Sequence, residues 1–478
     1  MLALQILNMK KILFCLAIIT SLFSKAQTYS SQNISLISLI HPNTGSVGIG
    51  GDGRRYSGSW GWHQTSTNKE YAIVGASNGT YFIDVTVPAS PSVCAFVPGK
   101  GGCTWREIKT YQNYCYVVSD DAAPNTFQII NMATLPATVS IVHNGKSYFE
   151  RGHTIWIDQN KMYIGSTTYS GSVGFQSMNV YSLATPTAPV LLRSLSQDYP
   201  SINHVHDMYV RNDTVFASCG YQGMYIYKFN SNNTFTQLGS YTGYAGSTYN
   251  HASMLTQNGK YLFFCDEVPV AQPMKFVDVQ NLSNIQPVQT FNPHPNTTPH
   301  NNYLKGNDIA IISCYQDGLY IYNIGTPGNA TIAGFFDTHP QGGFNVGNYF
   351  GNDYRGNWGA YPYLPSGIII AQDMQNGVFI LDATAAFGTI TDVKTTETTK
   401  SNFMFYPNPA SDLISVNYKT QNNSKVELRN SLGQLIFEKQ FNGNVSDYMD
   451  VRNYANGSYI LSITEKGETT NKKLIINH

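Results

Sequence analysis

From His206 the chain reads HDMYVRNDTVFASCGYQGMYIYKF, and from His300 it reads HNNYLKGNDIAIISCYQDGLYIYN. The two stretches share an opening His, an apolar block, a Cys, a turn with Gln and Gly, and a second block closing on one polar residue. That second block recurs along the chain as FIDVTVP, QIINMAT, NVYSLAT, YIYKFNS, KFVDVQN, YIYNIGT and FILDATA. Its polar residues are Asp84, Asn131, Ser182, Lys228, Asp278, Asn323 and Asp382, spaced 45 to 59 residues apart. A period near fifty, with four short strand-like runs in each copy, predicts a β-propeller, here of seven blades. Asp or Asn at the closing position suits a turn, because its side chain can accept a bond from the backbone two residues on.

Copy six divides into strands at 301–305, 309–314, 319–323 and 330–336. The last copy has three such runs, up to Asp382, and no clear fourth. Before the first copy, residues 33–40 read NISLISLI, an alternating strand with no partner of its own. A ring of blades left open exposes strand edges, so residues 33–40 are expected to supply the outer strand of blade seven. The propeller then spans 33–387. Residues 388–402 are Thr-rich and charged, and read as a linker. Residues 403–478 form a short all-β domain with a sandwich-like pattern. The expected fold class is thus all-β: a seven-bladed β-propeller followed by a small β-sandwich C-terminal domain.

The first 26 residues carry a basic start (Lys10, Lys11), an apolar run from Ile12 to Phe23 and the small-residue site Ser24-Lys25-Ala26. They read as a secretory signal peptide cut after Ala26, with Met9 a better start than Met1. The apolar run is too short for a permanent transmembrane helix, and no transmembrane segment is expected. Export permits disulfides; Cys94 and Cys103 flank a Gly-rich turn and are a candidate pair, while Cys115, Cys219, Cys265 and Cys314 read as small buried thiols. With 29 basic and 29 acidic residues and only 12% charged, the chain lacks the basic footprint of a nucleic-acid binder. No nucleophile elbow or P-loop is present, and the Gly-rich stretch Val47–Gly53 opens no helix, so it is not a dinucleotide fingerprint.

In a propeller the first strand of each blade lines the central channel, and its head lies on the same face as the loops between second and third strands. Strand heads place His153, His204, His206, Asp207, His251 and His300 on that face. Copies one, two and seven place Trp62-His63, Trp105-Arg106-Glu107 and Trp358 there. The loops add Asp120, Asp121, Asp266, Glu267, Asp317 and Asp373. A long Gly- and aromatic-rich segment from Thr338 crosses the same mouth. The candidate ligand-binding residues are His153, His206, Asp207, His251, His300, Glu107, Trp105 and Trp358. A candidate divalent metal site is His153, His206, His251, His300, Asp266 and Glu267, since imidazole and carboxylate together suit such an ion. Against both stands the reading of these histidines as anchors between blades, and of Trp60, Trp62, Trp105 and Trp358 as packing.

Two resemblances add to this. Tyr406-Pro407-Asn408-Pro409, Gly433, Asn456-Gly457-Ser458-Tyr459 and the terminal KKLIINH resemble the type A sorting domain of the type IX secretion system of Bacteroidota. That resemblance implies export across the outer membrane and the type IX machinery as a partner. Residues 34–387 resemble the secreted LVIVD-repeat proteins called choice-of-anchor B, through YAIVGASNGTYFIDV, TWREIK, YNHASMLTQNGKYLFFCDE and GAYPYLPSGIIIAQDMQNGVFIL. That family shares this module, varies in its mode of attachment and implies no defined reaction. The expectation is a secreted or cell-surface binding module for an unknown extracellular ligand; the alternative is an extracellular metal-dependent enzyme of hydrolase or lyase type.

Overall fold

The computed structural model describes residues 27–391 and 403–478, apart from 46, 49, 122–124, 170, 352–353, 431–432 and 467. The expected signal peptide and residues 392–402 of the expected linker lie outside the described residues. The chain divides into two compact units, Met1–Thr391 and Asp392–His478.

Seven antiparallel sheets follow one another in the first unit, among the described residues. They occupy 56–98, 106–145, 154–194, 207–241, 250–291, 302–336 and 357–382. In each, strands neighbour in chain order, as hairpin after hairpin of short Val-, Ile-, Tyr- and Phe-rich runs dictates. The first strand of every sheet touches the first strand of the next, and Asn357–Tyr361 of the seventh touches Tyr56–Gln64 of the first. The first unit is therefore a closed, propeller-like ring with first strands inward. Its apolar clusters are sandwiched between neighbouring sheets, such as Phe82 and Ile73 against Ile108 and Val117.

The polar residue that ends the third strand makes the same turn in six sheets. Asp84 accepts from Thr86 N (3.0 Å), Asn131 from Ala133 N (2.9 Å) and Ser182 Oγ from Ala184 N (3.2 Å). Asp278, Asn323 and Asp382 accept from Gln280, Gly325 and Thr384 in the same way. The exception is Lys228, whose ammonium instead donates to Asn212 O.

The N-terminal segment does more than complete sheet seven. Ser35–Ile40 pairs antiparallel with Gly377–Asp382, with Leu36 opposite Leu381. Ser31–Gln32 pairs with the outer edge of sheet six, Ser31 opposite Phe336. The two pieces are joined at Asn33, whose φ of 57° lies in the left-handed region that Asn tolerates. Its amide donates to Ala333 O (2.8 Å), and Ile34 is buried between Ile321, Phe336, Leu381 and Ala386. One segment thus stitches two sheets together, where the sequence reading has a single strand on one. After the last strand a helix, Thr384–Thr391, occupies the first residues of the expected linker.

Cys94 and Cys103 do not pair; the six cysteines of the described residues are free. Cys103 Sγ donates to Asp121 (2.6 Å) and Cys94 Sγ to Phe82 O (3.2 Å). In the second unit a three-stranded and a four-stranded sheet share one apolar core, with Phe403, Ile414, Val426, Leu461 and Leu474 inside.

Removing residues 27–42 exposes the outer edges of two sheets. It is expected to lower the melting temperature by on the order of 10 °C, read by calorimetry. Ile34→Ala alone is expected to cost about 3 kcal/mol; an unchanged melting temperature for both variants would refute the stitching role.

Candidate functional site at the channel mouth

The strand heads meet around the axis. His153 and His206 have ring centroids 4.2 Å apart, His206 and His251 4.5 Å, and His251 and His300 4.3 Å. His300 then meets Trp358 (4.1 Å), and Trp358 stacks on Trp105 (4.8 Å, 20°). Six rings from sheets three to seven and two form one continuous arc. Sheet one contributes none. Its inner strand starts early, at Tyr56, and presents Gly58, where a Cβ would lie 2.3 Å from Arg106 O and 2.8 Å from the Glu107 carboxylate. Trp62 and His63, expected at this head, lie at the far end of that strand opposite Tyr71 and Glu70. The strand is nine residues long, so its head is several residues earlier than in the other copies.

Below the arc, Glu107 accepts from Trp358 Nε1 (3.2 Å) and lies 4.0 Å from Lys109 Nζ, which sits 4.2 Å from the centre of the Trp60 ring. Burial pushes the Glu107 carboxyl up, opposed by Lys109, and pushes the Lys109 ammonium down, opposed by Glu107. Asp207 accepts from Thr154 Oγ1 (2.8 Å) and from Met208 N (2.7 Å). Trp105 carries the Arg54 guanidinium over its face at 5.1 Å. The tryptophans Trp60, Trp62, Trp105 and Trp358 all have aromatic neighbours within the ring of sheets.

Each imidazole is oriented by a specific partner. His251 Nδ1 lies 3.0 Å from His300 O, and His300 Nδ1 lies 2.6 Å from Trp358 O. A carbonyl only accepts, so both Nδ1 atoms carry hydrogen and both Nε2 atoms of the neutral rings keep a lone pair. Burial and then the neighbouring His251 hold His300 well below the usual histidine range. His206 is likewise held well below it by burial and by His153, His251, His204 and His300. Tyr249 Oη bridges His206 Nδ1 (2.9 Å) and His204 Nε2 (2.8 Å). His204 falls to about 4, through burial and the charge on His153. His153 differs. Burial opposes its charge, but Asp120, in contact with Nδ1, together with Glu107 and Asp207, outweighs burial and lifts it to about 9. Its Nε2 lies 3.2 Å from His206 Nε2.

The loop carboxylates divide by one position in register. Asp121 accepts from Thr104 N and Trp105 N, Asp317 from Thr297 Oγ1 and Phe344 N, and Asp373 from Thr338 Oγ1. Each fastens the segment that enters its own sheet. Asp266 belongs to this set and not to the site: it is fully buried, pairs with Lys275 Nζ (2.8 Å) and accepts from Tyr244 Oη (2.7 Å) and Thr248 N (3.3 Å). Successive residues of an extended chain point to opposite sides, so Glu267 turns to the arc instead. Its Oε2 lies 3.6 Å from His251 Nε2 and its Oε1 3.9 Å from His300 Nε2, while Tyr315 Oη donates to Oε1 (2.5 Å).

Sequence reasoning missed Tyr249, Tyr315 and Arg151. Tyr315 holds the place of Gly220 in the matching SCYQDG and SCGYQG turns, a signal visible in the aligned copies. Tyr249 and Arg151 stand two residues before the strand-head histidines His251 and His153.

Residues 404–477 match the secretion system C-terminal sorting domain. The chain is 34% identical over 77 residues to an endo-acting ulvan lyase of Formosa agariphila, a match covering 16% of this chain and 15% of that enzyme. Among solved structures, the chain is similar to the WD40 β-propeller domain of Doa1 (TM-score 0.48, 10% identity, 74% of this chain and 97% of that one). It is similar to a protein of Lactobacillus plantarum (TM-score 0.47, 11% identity, 83% and 99%). It is also similar to PorZ, a surface component of the type IX secretion system of Porphyromonas gingivalis (TM-score 0.37, 10% identity, 85% and 64%). The sorting domain and the ring of sheets define the class: a propeller-like protein secreted through the type IX system to the cell surface or the extracellular space. No helix among the described residues is long and apolar enough to cross a membrane.

The His153–Asp120 pair sets a pH dependence. The folded value of about 9 lies above the ordinary histidine value of 6.5. The stability this adds is fully present below pH 6.5 and is lost as pH rises through 9. Thermal unfolding between pH 6 and 10 is expected to show that loss in the wild type and a flatter profile in Asp120→Asn; parallel profiles would refute it.

Proposed function

We propose that the chain is a seven-bladed LVIVD-type β-propeller of the choice-of-anchor B kind, carried outside the cell by a β-sandwich sorting domain. There it works as a binding module whose ligand sits on the face bearing the imidazole arc. The ligand class we favour is a small molecule or chain end with a carboxylate. One observation carries this. Beside the arc lies a cavity of about 320 Å³ lined by Arg151, His153, Ser166, Thr168, Phe175 and His204, among others. Among the described residues Arg151 has no carboxylate in ion-pair range. It makes one long contact, Nη1 to Asp120 O at 3.5 Å, and the Asp120 carboxylate is engaged by His153. A guanidinium with donors to spare matches a carboxylate by a two-pronged bond. Phe175, 48% exposed, offers an apolar wall to a sugar ring at the same cavity.

D-Glucuronate and D-glucose titrated calorimetrically into the mature chain test this. Glucuronate is expected to bind and glucose to bind at least tenfold more weakly. Arg151→Gln is expected to cost about 10- to 100-fold in glucuronate affinity, the worth of charge-assisted hydrogen bonds. Equal binding of both sugars, or an unaffected variant, would refute the reading. Export is tested separately: deletion of 403–478 is expected to leave the ring folded but inside the outer membrane, scored by cell fractionation.

A further inference from the structure

The arc holds a second feature that the carboxylate cavity does not account for and that does not depend on it. We infer that His206, His251, His300 and Glu267 form a site for a divalent transition ion of the zinc class. The ligand atoms of His206, His251 and Glu267 lie within 4.8 Å of one another, and His206 gives up its contact with His153 or with Tyr249 to bind the ion. His300 Nε2 joins from the next sheet, 3.9 Å from Glu267 Oε1.

Three observations separate this set from a chance meeting of polar groups. First, His251 and His300 each place Nδ1 on a backbone carbonyl, so each ring is aimed with the Nε2 lone pair toward Glu267. Such an outer bond is what fixes ligating imidazoles, and Tyr315 does the same for the carboxylate. Second, His300 Nε2 is a buried polar atom with no hydrogen-bond partner among the described residues, on a side chain only 1% exposed. A lone pair left unsatisfied in the interior is costly, and an ion would satisfy it. The 3.9 Å from His300 Nε2 to Glu267 is too long for a hydrogen bond, as is the 3.6 Å from His251 Nε2. Both spacings suit two ligands of one ion, each about 2 Å from it. Third, both halves of the set border open space. Glu267 and Tyr315 line a cavity of about 240 Å³, and the three imidazoles line a channel cavity of about 60 Å³.

Three imidazoles and one carboxylate disfavour calcium and magnesium, which take oxygen ligands. They suit zinc, and cobalt in its place. Two residues of the wider sequence set fall out. Asp266 is spent on Lys275, and His153 on Asp120.

The test uses the full mature chain, stripped with a chelator and titrated with Zn²⁺ and with Co²⁺. One ion per chain is expected, with the visible Co²⁺ band of a four-coordinate nitrogen–oxygen site. Glu267→Gln is expected to weaken Zn²⁺ about 10- to 100-fold and His251→Ala at least 100-fold. His63→Gln, at the far end of the ring, is expected to leave binding unchanged. Melting curves of the stripped variants establish that each is folded, and Glu267→Gln serves if His251→Ala is not. No stoichiometric ion in the wild type overturns the inference, as does wild-type affinity in a folded Glu267→Gln. Glucuronate binding by the stripped chain is a separate readout, so either reading can fail without the other.

Discussion

Everything at the mouth depends on how the outer edge of the seventh sheet is covered. That sheet has three strands from its own copy. Without Ser35–Ile40, the N–H and C=O groups of Gly377–Asp382 would face solvent as an open pairing edge. Sheet seven also carries Trp358, the ring that joins the histidines to Trp105. Its first strand is the contact that closes the circle onto sheet one. A weakened seventh sheet would therefore loosen the arc where the histidines meet the two tryptophans, as well as at the rim.

The arc propagates its own geometry. His251 is aimed by the carbonyl of His300, and His300 by the carbonyl of Trp358. Each side chain is set by the backbone of the following sheet, so the inward spacing of the sheets and the direction of the lone pairs are one variable. The contrast between His153 and its neighbours has the same origin. Burial keeps His206 and His300 uncharged, while the loop carboxylate of Asp120, reaching across to the next sheet, keeps the charge on His153.

The architecture was legible because six of the seven copies make the same turn. Asp84, Asn131, Ser182, Asp278, Asn323 and Asp382 all bond the backbone two residues on, which is why a period could be counted at all. The heads of sheets three to six could be read for the same reason, and their histidines do meet. What could not be read depends on contacts between distant strands. Asp266 and Glu267 are equivalent in the sequence; Lys275 takes one and Tyr315 orients the other. Copy one departs from the rest because Gly58 lets the backbone approach Glu107, and that shifts which residue counts as the head. The split of the N-terminal segment turns on the single left-handed residue Asn33. The pairing of Cys94 with Cys103 looked plausible by proximity in sequence, yet each thiol faces a different acceptor.

Asp121, Asp266, Asp317 and Asp373 each tie down the segment entering their own sheet. The segment after Phe336 is held twice over, at Thr338 by Asp373 and at Phe344 and Tyr349 by Asp317. Phe344 stacks on His294 at 3.5 Å, while Val346 beyond it stays half exposed. Loops mounted this way behave as interchangeable fittings: changes in their length or chemistry are absorbed at the surface while the imidazole arc keeps its dimensions.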